Sequence, residues 1–197
     1  MAVRRVIQMG HPLLREVSEP VAAEEFETEA FQRLCDDLLE TMLDYDGVGL
    51  AAPQIGVRKR VVVLELDDEE GPEFLVNPVI EVIADSSRFT WEGCLSVEGL
   101  RGRVERPDQV RVRAFDRDGS RKGYELHGYP AVVVQHECDH LDGVLYVDKV
   151  DPKTLAFMRE YRRYGPLDED GDDLDDEDLE GVDEDLLDYA DPDEEDM

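Results

Sequence analysis

The residues richest in chemistry stand together as Gln135-His136-Glu137-Cys138-Asp139-His140, inside the stretch from Tyr129 to Gly143. Pro130 suits a first helical turn and Gly143 a helix end, so the spacing predicts a helix here. Residues four apart share a helix face, which sets His136 and His140 side by side. Two imidazoles one turn apart can hold one divalent metal. The acid after the first of them can take a proton from a water that the metal activates. On this string alone, two histidines on a solvated helix remain the ordinary alternative, and a metal site needs a further ligand from elsewhere in the chain.

Cys94 supplies it. A thiolate with two neutral imidazoles leaves a tetrahedral metal one open position, as catalytic sites require. The competing reading of Cys94 is a small buried side chain, and that reading also suits Cys35. Cys138 comes two residues after His136, so it points off the metal face and is expected to pack. Cys94 sits in Glu92-Gly93-Cys94-Leu95-Ser96. A further unusual stretch is Gly47-Val48-Gly49-Leu50-Ala51-Ala52-Pro53-Gln54, whose paired glycines let backbone approach backbone or ligand closely. It lacks the third glycine of a nucleotide loop.

Several elements must position these stretches. Val6-Ile7-Gln8 reads as a short strand. From Glu24 to Tyr45 apolar residues recur at three and four, the pattern of an amphipathic helix. Arg60–Leu66 reads as a strand and Asp67–Pro72 as a polar turn. Phe74–Ile83 reads as a strand kinked at Asn77-Pro78, and Arg88–Glu92 as another strand. Gly99 and Gly102 suggest a loop after Cys94. Val110–Phe115 and Lys122–His127 form a hairpin about Asp116–Gly119. Val144–Val147 reads as a short strand. Asp151-Pro152 is expected to open a helix to about Tyr164, with Leu155, Met158, Tyr161 and Phe157 inward. Strands joined by turns and not by crossover helices argue an α+β fold: mostly antiparallel sheets around the central metal-binding helix, then a C-terminal helix.

Charge divides the chain. Its net charge is −30, and of 51 Asp and Glu, 19 fall between Asp168 and Met197, where there is no Lys or Arg. That leaves 32 acids against 21 bases before the tail, a balance of −11. The expected organisation is a catalytic domain over 1–166 and an acidic, disordered tail over 167–197, because like charges repel and too little apolar surface is there to bury. General nucleic-acid binding is excluded for want of a basic face. No apolar run is long enough to span a membrane, and the N-terminus has no secretory pattern. Three cysteines without framework spacing indicate a reducing cytoplasm.

The three stretches together resemble the peptide deformylase family, whose motifs run G-φ-G-φ-A-A-x-Q, E-G-C-φ-S and Q-H-E-x-D-H-φ-x-G. Here they stand as Gly47–Gln54, Glu92–Ser96 and Gln135–Gly143, with every fixed letter present. The resemblance covers about residues 3 to 165. Glu98 departs from it, where many relatives have proline, and the acidic tail has no counterpart. The resemblance implies Cys94, His136 and His140 as metal ligands and Glu137 as general acid-base. It implies Gln54 and the backbone N–H of Leu95 as donors to the substrate oxyanion. Fe(II) is the metal it implies, with Zn, Ni or Co accepted, and the substrate is the N-formylmethionyl end of a nascent polypeptide.

For the substrate pocket, Gly49 and Gly93 are candidates for a wall too tight for acetyl. Tyr129, Val132 and Val133 share the His136 face and, with Val48, are candidates for the methionine slot. The peptide backbone would pair with Gly47-Val48-Gly49 by strand addition. Glu92, Arg106 and Asp139 are expected to brace the ligands. The ribosome enters as a partner for the basic helix 152–164, and a monomer is expected. Two other readings stay open: a metallopeptidase cutting internal amides, and an inactive relative whose working part is the acidic tail.

Overall fold

The computed structural model describes residues 2–66 and 71–165. The expected disordered tail at 167–197, and residues 67–70 of the expected polar turn, lie outside the described residues.

The amphipathic repeat forms helix α1 over Glu29–Asp44. It begins after Glu24 because Thr28 caps it, its Oγ1 accepting from the Phe31 N–H at 3.2 Å. Ala23–Glu25 form a separate 3-10 turn. The strands, in chain order, are β1 (Gly49–Ala51), β2 (Val61–Leu64), β3 (Glu73–Val82), β4 (Ser87–Cys94), β5 (Val97–Pro107), β6 (Gln109–Phe115), β7 (Arg121–His127) and β8 (Ala156–Phe157). The motif helix, α2, spans Tyr129–Leu141 and the last helix, α3, spans Met158–Tyr164.

Within the two sheets every pairing is antiparallel, in a five-stranded sheet ordered β1-β2-β3-β6-β7 and a three-stranded sheet ordered β4-β5-β8. Successive side chains of β2 leave opposite faces. Val61 and Val63 pack in the cluster that holds α1, while Val62 and Leu64 pack in the cluster that holds α2. β2 is therefore buried on both sides, which explains its unbroken apolar run. A further cluster of Leu14, Val97, Val104, Leu145 and Tyr146 lies under the β4–β5 hairpin. The metal-motif helix thus has the large sheet on one side and the hairpin that carries Cys94 on another.

Several expectations need correction. Val6–Gln8 is not a strand: its neighbours are single backbone bonds, Ile7 N–H to Gln54 O at 2.8 Å and Met9 N–H to Ser96 O at 2.7 Å. The loop expected at Gly99–Gly102 is part of β5, because Gly102 pairs with Glu92 and lets Val150 and Leu155 pack directly against the strand. Val144–Val147 is not a strand. Asp148 accepts from the Leu145 N–H at 2.8 Å and turns Tyr146–Asp148 into a 3-10 turn. The helix expected from Pro152 starts only at Met158, because Ala156 and Phe157 are taken by pairing with Arg101 and Leu100 of β5. Phe157 is consequently exposed, while Tyr161 is buried. Asn77 holds a left-handed φ of 53° and bonds both backbone groups of Val21, and the β3 register shifts between Val76 and Val79, which is the expected kink.

Gly143 ends α2 with φ of 73°, and a Cβ there would lie 2.7 Å from the Arg15 carbonyl carbon. Both the positive φ and the contact demand glycine. Gly143→Ala should cost about 1–2 kcal/mol or more and lower Tm by roughly 2–8 °C, read by thermal unfolding of the metal-loaded protein. An unchanged Tm would remove this position from the account of how α2 is terminated.

Candidate metal centre

α2 presents His136 and His140 one turn apart, their ring centroids 5.0 Å from each other. The end of β4 brings Cys94 against them, with Sγ 3.3 Å from His140 Nε2. One ligand atom from each of Cys94, His136 and His140 lies within 4.8 Å of the others, so the chain has a site capable of binding one metal ion. Thiolate and imidazole donors in this number suit a four-coordinate borderline metal with one position open. Cys138 faces away into the core, as its spacing required.

The ligands are aimed by a buried ion-pair chain. His136 Nδ1 lies 2.8 Å from Glu92 Oε2. An ionised carboxylate only accepts, so Nδ1 carries the proton and Nε2 turns its lone pair to the site. Arg106 grips Glu92 in bidentate fashion, Nε to Oε1 at 2.5 Å and Nη2 to Oε2 at 2.9 Å. Its Nη1 reaches Asp139 of α2 at 2.8 Å, and Lys149 reaches the other oxygen of Asp139 at 2.8 Å. Asp139 therefore orients the ligand histidine through Arg106 and Glu92. Burial alone would raise the Glu92 carboxyl, but the bonds from Arg106 and His136 more than offset it and hold it down at about 2.

The histidines are driven apart. Burial lowers His140 well below the ordinary imidazole value, and the charges of His136 and Arg106 add to this, so it is a neutral donor. Burial also acts to lower His136, yet Cys94 and Glu92 raise it well above the ordinary value. The acceptors that would hold a proton there also suit a cation. For Glu137, burial dominates and pushes the carboxyl up to about 7. Its Oε2 is buried without a hydrogen-bond partner among the described residues.

The centre opens into a cavity of about 680 Å³. The three motifs meet in its wall: Gly49 and Gln54 from the first, Gly93, Cys94 and Leu95 from the second, His136 and Glu137 from the third. The Ala51 N–H donates to Gln54 Oε1 at 2.7 Å, which turns Nε2 toward Cys94 Sγ, 3.7 Å away. The expected slot residues Val48, Tyr129, Val132 and Val133 also line this cavity. The two glycines differ. A Cβ on Gly49 would lie 2.8 Å from Glu137 Cγ, so glycine is needed for Glu137 to stand where it does. A Cβ on Gly93 would meet Arg101 at 3.7 Å and the Leu100 carbonyl oxygen at 3.8 Å, ordinary contacts. Sequence reasoning missed Gln8, Trp91, Arg101 and Met158, all in the same wall. Only Gln8 carried a signal, as the one amide in an apolar run.

Comparison with known proteins decides the family. The profile described as polypeptide deformylase matches residues 3–156. The chain belongs to the polypeptide deformylase family. A peptide deformylase of Leptospira biflexa is 46% identical over 164 residues, 79% of this chain and 92% of the relative. Among solved structures, peptide deformylase from Thermotoga maritima is 38% identical with a TM-score of 0.72, covering 77% of this chain and all of its own. A class I type b peptide deformylase from Acinetobacter baumannii, solved with Met-Ala-Ser bound, is 34% identical with a TM-score of 0.71 over 76% of this chain. The deformylase likeness disfavours the metallopeptidase reading.

Removing a partner that braces a ligating histidine typically costs 10–100-fold in metal affinity. Arg106→Ala should therefore weaken zinc binding by about 10–100-fold, measured by competition with a chelating dye, because Glu92 loses both bonds that aim it at His136. Wild-type affinity in this variant would show that the chain from Asp139 to His136 does not brace the centre.

Proposed function

We propose that this chain is a metal-dependent hydrolase that removes the formyl group from the N-terminal formylmethionine of newly made polypeptides and releases formate. The observation that carries the reading is the convergence of three separated motifs on one cavity, with Cys94, His136 and His140 grouped beside a buried Glu137 whose Oε2 has no hydrogen-bond partner among the described residues. Met-Ala-Ser, bound by the A. baumannii relative, is what remains when formyl-Met-Ala-Ser loses its formyl group.

Cys94, His136 and His140 would hold one divalent metal, which when bound supplies Lewis-acid activation of water and of the formyl carbonyl. Fe(II) is the expectation from the family, and the donor set also suits Zn, Ni or Co. Glu137 takes a proton from the attacking water and returns it to the leaving amine; a carboxyl near neutrality suits both steps. The Gln54 Nε2 and Leu95 N–H groups donate to the developing oxyanion, and one such donor is typically worth about 2.7–4 kcal/mol of barrier. Gly49 admits Glu137 closely, and on this reading the wall the two form is too tight for an acetyl methyl. Tyr129, Val132, Val133 and Val48 bound the methionine slot, with Gly93 in the adjoining wall. The edge of β1 is placed to pair with the peptide backbone.

The catalytic unit is residues 1–166, acting in the cytoplasm as a monomer, with 167–197 as an acidic tail. Among the described residues no helix is long and apolar enough to cross a membrane. The three cysteines are free.

Glu137→Gln preserves size and removes the base. Formate release from formyl-Met-Ala should fall by roughly 10²–10⁴-fold while metal content stays near one per chain. Retained turnover at full metal content would sink the assigned role.

The tail concerns the ribosome. α3 carries Arg159, Arg162 and Arg163, with Lys153 in the turn before it, and 19 acids follow from Asp168 onward. These acids oppose docking of the basic segment on ribosomal RNA, over a Debye length of about 8 Å at physiological salt. Truncation after Gly165 should leave formyl-Met-Ala turnover unchanged and strengthen ribosome binding at low salt, an increase that fades as salt rises. Equal ribosome binding by both forms at low salt would contradict this role.

A further inference from the structure

The N-terminal segment touches both residues, Gln54 and Leu95, that the proposed function makes donors to the formyl oxygen. The Ile7 N–H donates to Gln54 O at 2.8 Å, and the Met9 N–H donates to Ser96 O at 2.7 Å. Between them, the Gln8 side chain spans the Cys94 loop. Its Nε2 donates to Leu95 O at 2.9 Å, and its Oε1 accepts from the Glu98 N–H at 3.3 Å. Three consecutive residues from a region outside all three motifs therefore tie the first motif to the second.

The consequence for Leu95 is geometric. Peptide units are planar, so the direction of one N–H follows from the dihedrals at either side of it. On one side Cys94 is anchored at the metal centre, with its Sγ accepting from the Ser96 N–H at 3.4 Å. On the other side the carbonyl of Leu95 is anchored by Gln8. With both ends fixed, the Leu95 N–H has one aim. The Glu98 N–H is the second bond that holds the Gln8 amide in place.

We propose that Gln8 is a positioning residue for the oxyanion site, holding the Leu95 peptide so that its N–H stays directed at the reacting carbonyl. The proposal rests on the deformylase reading for the identity of that carbonyl. The Gln54 side keeps its own anchors, the Ile7 N–H and the Ala51 N–H, which are backbone groups that a change at Gln8 does not remove.

Gln8→Met keeps length and shape and removes both bonds. In the zinc-loaded full chain, kcat for formyl-Met-Ala should fall by roughly 10–100-fold, the size expected when a catalytic donor is mis-set. KM should change by less than about twofold, the signature of an interaction made only in the transition state. Gln8→Glu keeps the acceptor for Glu98 but sets a carboxylate against the Leu95 carbonyl, so it should not rescue kcat. Arg4→Ala is the control: Arg4 pairs with Asp37 at 3.4 Å in the same segment, away from Leu95. It should lower Tm slightly and leave kcat alone. The Leu95 amide cross-peak, followed by 15N NMR, should shift or broaden in Gln8→Met and hold in Arg4→Ala, whether or not formate is released.

Absence of formate release by the wild type would reject the deformylase reading, and the Leu95 resonance would still decide the role of Gln8. An unmoved Leu95 resonance, a kcat within about twofold of wild type, or rescue by Gln8→Glu would each overturn the proposal. So would equal losses of kcat in Gln8→Met and Arg4→Ala, which would mean general loosening of the segment.

Discussion

Arg106 is 2% exposed and carries a full charge into the interior. Such a charge is costly to desolvate and is tolerated only when well paired, and removing one partner of a buried pair typically costs about 3–5 kcal/mol. Here the pairs are Glu92 on β4 and Asp139 on α2, so one guanidinium, itself on β5, joins the strand that carries Cys94 to the helix that carries His136 and His140. Glu92 in turn fixes the tautomer of His136. The same side chain therefore welds the hairpin to the helix and points a ligand at the centre.

That arrangement sets two carboxylates to opposite tasks. Glu92 and Glu137 are both buried, yet Glu92 is held at about 2 by the bonds from Arg106 and His136 while burial pushes Glu137 up to about 7. Environment alone separates the fixed anion from the carboxyl that is proposed to carry the proton. The glycine at position 49 completes the separation, because its missing Cβ is what lets Glu137 lie against β1.

Much of the metal-binding group was legible because metal binding needs fixed residue types at fixed spacings: His136 and His140 one helical turn apart, Glu137 beside the first, Cys94 next to a glycine. That Tyr129, Val132 and Val133 line one cavity with His136 followed from the helix period. Less legible was whatever depends on partners distant in sequence. The glycines of β5 read as a loop because local signals cannot show that Val150 and Leu155 need the space over Gly102. Pro152 is a sound helix start, but pairing of Ala156 and Phe157 with β5 outweighs it. Gln8 is a lone polar residue in an apolar run, and its meaning appears only when Leu95, 87 positions away, lies against it.

The central claim is that Cys94, His136 and His140 together hold one catalytic metal. Cobalt(II) substitution tests it most directly, because a thiolate ligand gives a charge-transfer absorption that imidazole and carboxylate ligands do not. The account predicts about one cobalt per chain with that band present, retained in Glu137→Gln and lost in Cys94→Ser. A band of wild-type strength in Cys94→Ser, at equal cobalt content, would contradict it.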